Sequence, residues 1–217
     1  MIKIYLSPSD QTDNIYACGG TNEAEQCRKI ANVCEAALKR CGFDVKNGQS
    51  GSYIDRTNES NSWDADLHIA IHSNASNGAV TGTRMFYYNY GGESYKACKA
   101  IFDVLAPLTP GMSDNMQMNQ DLYEMYGTKC ASVYVETDFH DNISESKWIV
   151  SHTAEIGETI AKGVCNFYGT TYKINTSGTD PGSIYQVVTG SFKVKENAEK
   201  RVKELKLKGF DSFIQIR

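Results

Sequence analysis

The sequence predicts an α/β fold: a mostly parallel twisted sheet flanked by helices, with a small β-α-β unit after it. Two observations predict the main body. Short apolar runs with strand character alternate along the chain with longer segments of helical period, the order expected of a parallel sheet sandwiched by helices. Two of those runs are strong, "LHIAIHSN" at 67–74 as a buried-strand pattern and "CASVYVETDF" at 130–139 as a β-branched and aromatic one. A third observation predicts the appendage: "NTSGTDPGS" at 175–183 has no apolar residue and reads as a linker.

The elements follow in order. A strand is expected at 2–6, stopped by Ser-Pro-Ser, then a polar loop over 10–20. Thr21 is a fitting N-cap for a helix whose stripe of Ile30, Ala31, Val33, Cys34, Ala37 and Leu38 runs to Gly42. Cys27, Cys34 and Cys41 fall seven apart on one face of it, as small buried hydrophobes. A strand at 43–45, a helix at 56–63, strands at 67–72 and 82–89, a helix at 94–108 and a short strand or turn at 122–125 come next. The strand at 130–139 leads to a long helix at 147–167 with Ile149, Ile156, Ile160, Val164 and Phe167 inward. The organisation expected is a domain at 1–174, a linker at 175–183 and a unit at 184–217 made of a strand, a charged amphipathic helix and a strand. That unit is shorter than the roughly 40 residues a domain needs to fold alone.

Composition excludes several classes. With 22 Lys and Arg against 26 Asp and Glu, a net charge of −4 and a pI near 5.6, the chain carries no basic field to collect nucleic acid. No run approaches the roughly 20 apolar residues of a membrane span. The opening "MIKIYLSPSD" lacks the features of a signal peptide, and seven cysteines, an odd number, fit a reducing compartment, so a cytoplasmic location is expected.

The chemistry gathers at predicted element ends. His68 and His72, two of four histidines, share a strand face, and His72 stands where the apolar run gives way to Ser-Asn. Glu23 falls in the first turn of the first helix, and Glu136 closes a buried β run in "YVETDFHDN", where a carboxylate is costly without a purpose. Such groups could serve zinc hydrolysis, which needs His, Asp, Glu or Cys ligands, an open position for water and a carboxylate to manage protons.

The succession "IYLSPS", "GGTNEAEQC", "LHIAIHSNA", "GTRMFYY" and "VYVETDFHDN" resembles the zinc-dependent N-acetylmuramoyl-L-alanine amidases of the amidase type 3 family over residues 1–170. The "SPS" and "FHDN" variants resemble its clostridial endolysin and autolysin branch. The resemblance implies zinc ligands at Glu23 and His72, a catalytic glutamate at Glu136, and hydrolysis of the amide between N-acetylmuramic acid and L-alanine of the peptidoglycan stem. The family's first histidine ligand has no counterpart in "SPSDQTDN". Gln11 and Asp10 stand level as its replacement, with Asp13 next and His140 a further recruit.

His140, Asn74 and Arg56 are candidate substrate-binding residues, Arg56 and Arg84 because guanidinium groups grip carboxylates bidentately. His68 reads as a core histidine or one that supports a ligand, and His152 as a surface residue. The stretch 184–214 resembles the first half of a sporulation-related (SPOR) repeat, which implies a denuded-glycan binder completed by pairing of two tails into a homodimer. The expected partner is bacterial peptidoglycan, without nucleic acid or membrane, and the expected role is an endolysin held in the cytoplasm until release. The rival reading is a wall-binding module whose metal site is lost.

Overall fold

A computed structural model of the chain describes residues 1–175, 190–210 and 212–214. The chain divides into two compact units, Met1–Asn175 and Thr176–Arg217.

In the first unit, β1 (Lys3–Pro8), β2 (Asp44–Asn47), β3 (Leu67–Asn74), β4 (Arg84–Tyr87), β5 (Asn115–Met118) and β6 (Ala131–Phe139) form a sheet in the order β2-β1-β3-β6-β4-β5. All its pairings are parallel except β4 with β6, so the sheet is mostly parallel, as expected. The helices are α1 (Glu23–Arg40), α2 (Tyr53–Ser62), α3 (Glu93–Leu105), α4 (Tyr123–Tyr126) and α5 (Ile143–Tyr168). Leu67, Ile69 and Ile71 of β3 and Val133 and Val135 of β6 face the main core, which α1, α3 and α5 cover. The opposite face carries His68, Ala70, His72, Tyr134 and Glu136, and α2 and α4 pack there. The central strands are therefore buried on both sides, which is why they read as continuous apolar runs.

The helix that carries Glu23 begins one residue later than expected. Asn22, not Thr21, is the N-cap and accepts from the Glu25 amide at 2.9 Å, while the Thr21 hydroxyl is bonded to Glu25 Oε2 instead. Cys27, Cys34 and Cys41 are buried and unpaired. Gly157 lets α5 lie against α1: a Cβ there would stand 2.6 Å from the Ile30 carbonyl oxygen.

Two segments depart from expectation. The stretch read as a short strand or turn at 122–125 overlaps α4, a single helical turn too short to show a period. β5, "NMQM", has no counterpart among the expected elements, because four residues without a β-branched or aromatic side chain give too short and too weak a strand signal.

In the second unit the expected helix is present as α6 (Lys195–Leu207), with no buried residue. Of the strands expected around it, 184–189, 211 and 215–217 lie outside the described residues. The described parts, 190–192 and 212–214, are not in strands. Among the described residues no helix is long and apolar enough to cross a membrane.

Candidate active site

Parallel pairing puts the C-terminal ends of β1, β3 and β6 at one edge of the sheet, and the N-terminus of α1 reaches the same edge. Glu23 is the first residue of α1, a position favourable to a carboxylate, and its side chain is buried. Its Oε1 lies 2.8 Å from His72 Nδ1, and its Oε2 accepts from Asn14 Nδ2 at 2.6 Å. Asn14 Nδ2 also donates to Gln11 Oε1 at 2.9 Å, and Gln11 Nε2 lies 3.4 Å from His72 Nδ1. The turn after β1 thus folds Gln11 and Asn14 onto the Glu23–His72 pair.

Of the residues weighed for the missing histidine, Gln11 reaches this cluster. Asp10 turns away and pairs with Arg56 at 3.3 Å, and Asp13 is exposed. His140 is buried near it, stacked on Tyr16, with Nδ1 bonded to the Ser73 carbonyl at 2.9 Å and 4.0 Å from Glu23 Oε2. Asn74 stands at the rim, where its Oδ1 accepts from the Ala75 amide. Arg56 does not present a free guanidinium to a substrate. It is 1% exposed and donates to Ser7 Oγ, Gly51 O and Asp10, spending its donors inside the protein. Among the described residues no group of three or more His, Cys, Asp or Glu gathers as a metal-ligand set.

Glu136 lies beside His72 in the β3–β6 register, on the same face. Its Oε2 is enclosed and has no hydrogen-bond partner. Burial pushes its carboxyl up to about 8, with the His72 charge pulling it down and Glu23 pushing it further up. For His72, burial opposes the charge, but Glu124, Glu23 and Glu136 outweigh it and raise the imidazole to about 10. The Glu23 carboxyl falls below its ordinary value, because His72, Asn14 and Ser9 stabilise the anion more than burial opposes it. The Tyr134 ring stacks on His72 with centroids 4.4 Å apart, fixing its plane.

The family model described as N-acetylmuramoyl-L-alanine amidase matches residues 8–166, which spans every strand end of this cluster. The chain belongs to that family. The sporulation-specific N-acetylmuramoyl-L-alanine amidase of Bacillus subtilis is 25% identical over 224 residues, covering 100% of this chain and 86% of that protein. The catalytic domain of CwlV, an N-acetylmuramoyl-L-alanine amidase from Bacillus (Paenibacillus) polymyxa, superposes with a TM-score of 0.71 at 16% identity, over 79% of this chain and 100% of that one. The catalytic domain of an endolysin targeting Clostridia difficile does so with a TM-score of 0.62 at 24% identity, over 76% and 96%.

Two features of this N-acetylmuramoyl-L-alanine amidase escaped sequence reasoning. Glu124 of α4 is buried between His68 Nε2, 3.2 Å from its Oε1, and His72 Nε2, 3.7 Å from its Oε2. The second is a buried carboxyl pair behind the site. Asp138 Oδ1 accepts from the Gly82 and Phe139 amides at 3.0 and 2.8 Å, and burial together with Glu145 beside it pushes the Asp138 carboxyl up to about 8.

That shift has a measurable sign. The folded Asp138 keeps a proton that the unfolded chain releases near pH 4, so stability is full below about pH 4 and declines as pH rises toward about 8, by at most about 1.4 kcal/mol per unit. Glu136 contributes in the same sense. Urea unfolding with a chelator present should give a lower stability at pH 8.5 than at pH 5, and Asp138→Asn should flatten that slope. An unaltered slope in the variant would show that Asp138 ionises normally.

Proposed function

We propose that the chain is a zinc-dependent amidase that cleaves the bond between the lactyl group of N-acetylmuramic acid and L-alanine of the stem peptide. One observation carries the reading: Glu23, His72 and Gln11 converge at the sheet edge beside a Glu136 oxygen that has no partner in the protein.

The donor set fits zinc, although one corner is weak. Ligand atoms about 2.0–2.1 Å from a tetrahedral zinc lie about 3.3 Å from each other. His72 Nδ1 lies 2.8 Å from Glu23 Oε1 and 3.4 Å from the Gln11 amide, so the spacing brackets that value. The Gln11 oxygen is held by Asn14 Nδ2 and its nitrogen faces His72; turned over, at the cost of the Asn14 bond, the amide would offer its oxygen to the ion. Glu23, His72 and Gln11 would hold the ion, leaving one position open. Zinc bound there supplies Lewis acidity, activating a water and polarising the scissile carbonyl.

The chain's own residues do the rest. Glu136 takes the attacking water's proton and passes it to the nitrogen of the departing L-alanine, a general base turned general acid. Its raised proton affinity in the enclosed site suits both halves of that task. Tyr134 and Glu23 hold the His72 ring, and Asn14 holds the Glu23 carboxylate, so the donor geometry is set before substrate arrives.

The SPOR-like tail as a holder of denuded glycan, a homodimer formed through it, and an endolysin role with cytoplasmic storage belong to the same proposal. The composition of 184–217 and the fold shared with an endolysin catalytic domain support them. The test is elemental analysis of purified protein alongside release of free amino groups from peptidoglycan. Near one zinc per chain, with amine release that a chelator abolishes and zinc restores, is expected. No zinc uptake and no release, with peptidoglycan still bound, would replace the enzyme by the wall-binding reading.

A further inference from the structure

We propose that Glu124 is a positioning residue for His72, holding the ring from the side opposite the Glu23–Gln11 cluster; this rests on the zinc reading above. Glu124 has no role in that mechanism, yet its carboxylate is 3% exposed, and burying a charge is costly unless it is well paired. It is well paired. Ser7 Oγ donates to its Oε1 in a close hydrogen bond, and Arg56 Nε donates to Ser7 Oγ at 2.7 Å. His68 Nε2 reaches the same Oε1 at 3.2 Å, with the His68 ring stacked on Tyr5 at 5.4 Å.

These contacts anchor Oε1 and leave Oε2 aimed at His72 Nε2, 3.7 Å away. That nitrogen is enclosed and has no hydrogen-bond partner among the described residues. At 3.7 Å the contact is electrostatic rather than a hydrogen bond. Glu124 is the carboxylate it faces, so the charge favours keeping a proton on Nε2, which leaves Nδ1, the nitrogen that donates to Glu23 Oε1 in the metal-free protein, as the one to give up its proton to a metal. A carboxylate behind a ligating histidine fixes its tautomer and ring orientation in this way. Arg56 and Ser7, on α2 and β1, and His68, four residues before His72 on the same face, form the brace.

The test compares the full chain with Glu124→Gln, which keeps the shape, and Glu124→Ala. Nitrogen-15 NMR of the histidine rings in zinc-free and zinc-loaded protein reads the His72 Nε2–H, and competition with a coloured chelator reads zinc affinity. A protected Nε2–H signal is expected in the parent, shifted or lost by exchange in the variants, with zinc affinity about 10–100-fold weaker. Thermal unfolding identifies a variant that has lost its fold, and the isosteric Gln form then decides. Ring signals and zinc affinity equal to the parent's in folded Glu124→Gln would overturn the inference. A parent that binds no zinc would defeat the zinc reading instead, and the zinc-free ring signals would still judge Glu124.

Discussion

Glu136→Gln should lower amide hydrolysis by about 10²–10⁴-fold while leaving the fold and zinc uptake as they are. The glutamine has nearly the same shape, so the β3–β6 register and the His72–Tyr134 stack have no reason to move. What it removes is the ability to accept a proton at an oxygen that the protein leaves unpartnered. Burial raises the proton affinity of this carboxyl to about 8, so the base is well matched to a proton that must be handed on to an amine. The same substitution should make stability less dependent on pH, since it removes a carboxyl that the folded state protonates more readily than the unfolded chain. A variant retaining more than about a tenth of the parent rate would fall outside what loss of a general base allows and would move the proton transfer to another group.

Much of this site was legible because each piece sits where local pattern is strongest. His72 and Glu136 end apolar runs of strand character, and parallel pairing then forces such ends to one edge of the sheet. Glu23 was visible as a helix-start carboxylate, and the same-face relation of His68 to His72 follows from a period of two. What stayed hidden depends on contacts far apart in sequence. Nothing near Glu124 announces that it meets Ser7, 117 residues away, and its helix of four residues is too short to show a period. Arg56 read as a substrate clamp because a charged side chain is normally exposed; the buried acceptor that draws it inward, Ser7 Oγ on β1, lies 49 residues away in sequence, while the Gly51 carbonyl that it also meets is local. Gln11 and Asp10 are neighbours of similar chemistry, and only the direction of the turn after β1 separates them, sending Asp10 to Arg56 and Gln11 to His72.

That turn sets the second large effect. Gln11→His should raise zinc affinity on the order of tenfold or more, and Gln11→Ala should lower it, with chelator competition as the measurement. The reason is donor strength. An amide oxygen is a neutral, weakly basic ligand, whereas an imidazole nitrogen binds zinc about as well as any neutral side chain does. The two side chains have comparable reach, so the new ring can occupy the corner where Gln11 now lies 3.4 Å from His72 Nδ1. Its cost is the hydrogen bond from Asn14 Nδ2 to Gln11 Oε1, while the Asn14 bond to Glu23 remains. Asp10→Ala is the matched control, because its partner is Arg56, and it should leave zinc affinity at the parent value. If both Gln11 variants bind zinc as the parent does, Gln11 is no part of the donor set and Glu23 and His72 hold the ion with water alone. If Gln11→His tightens binding and raises the rate only at limiting zinc, with parent and variant rates coinciding at saturating zinc, the weak corner limits occupancy and not chemistry.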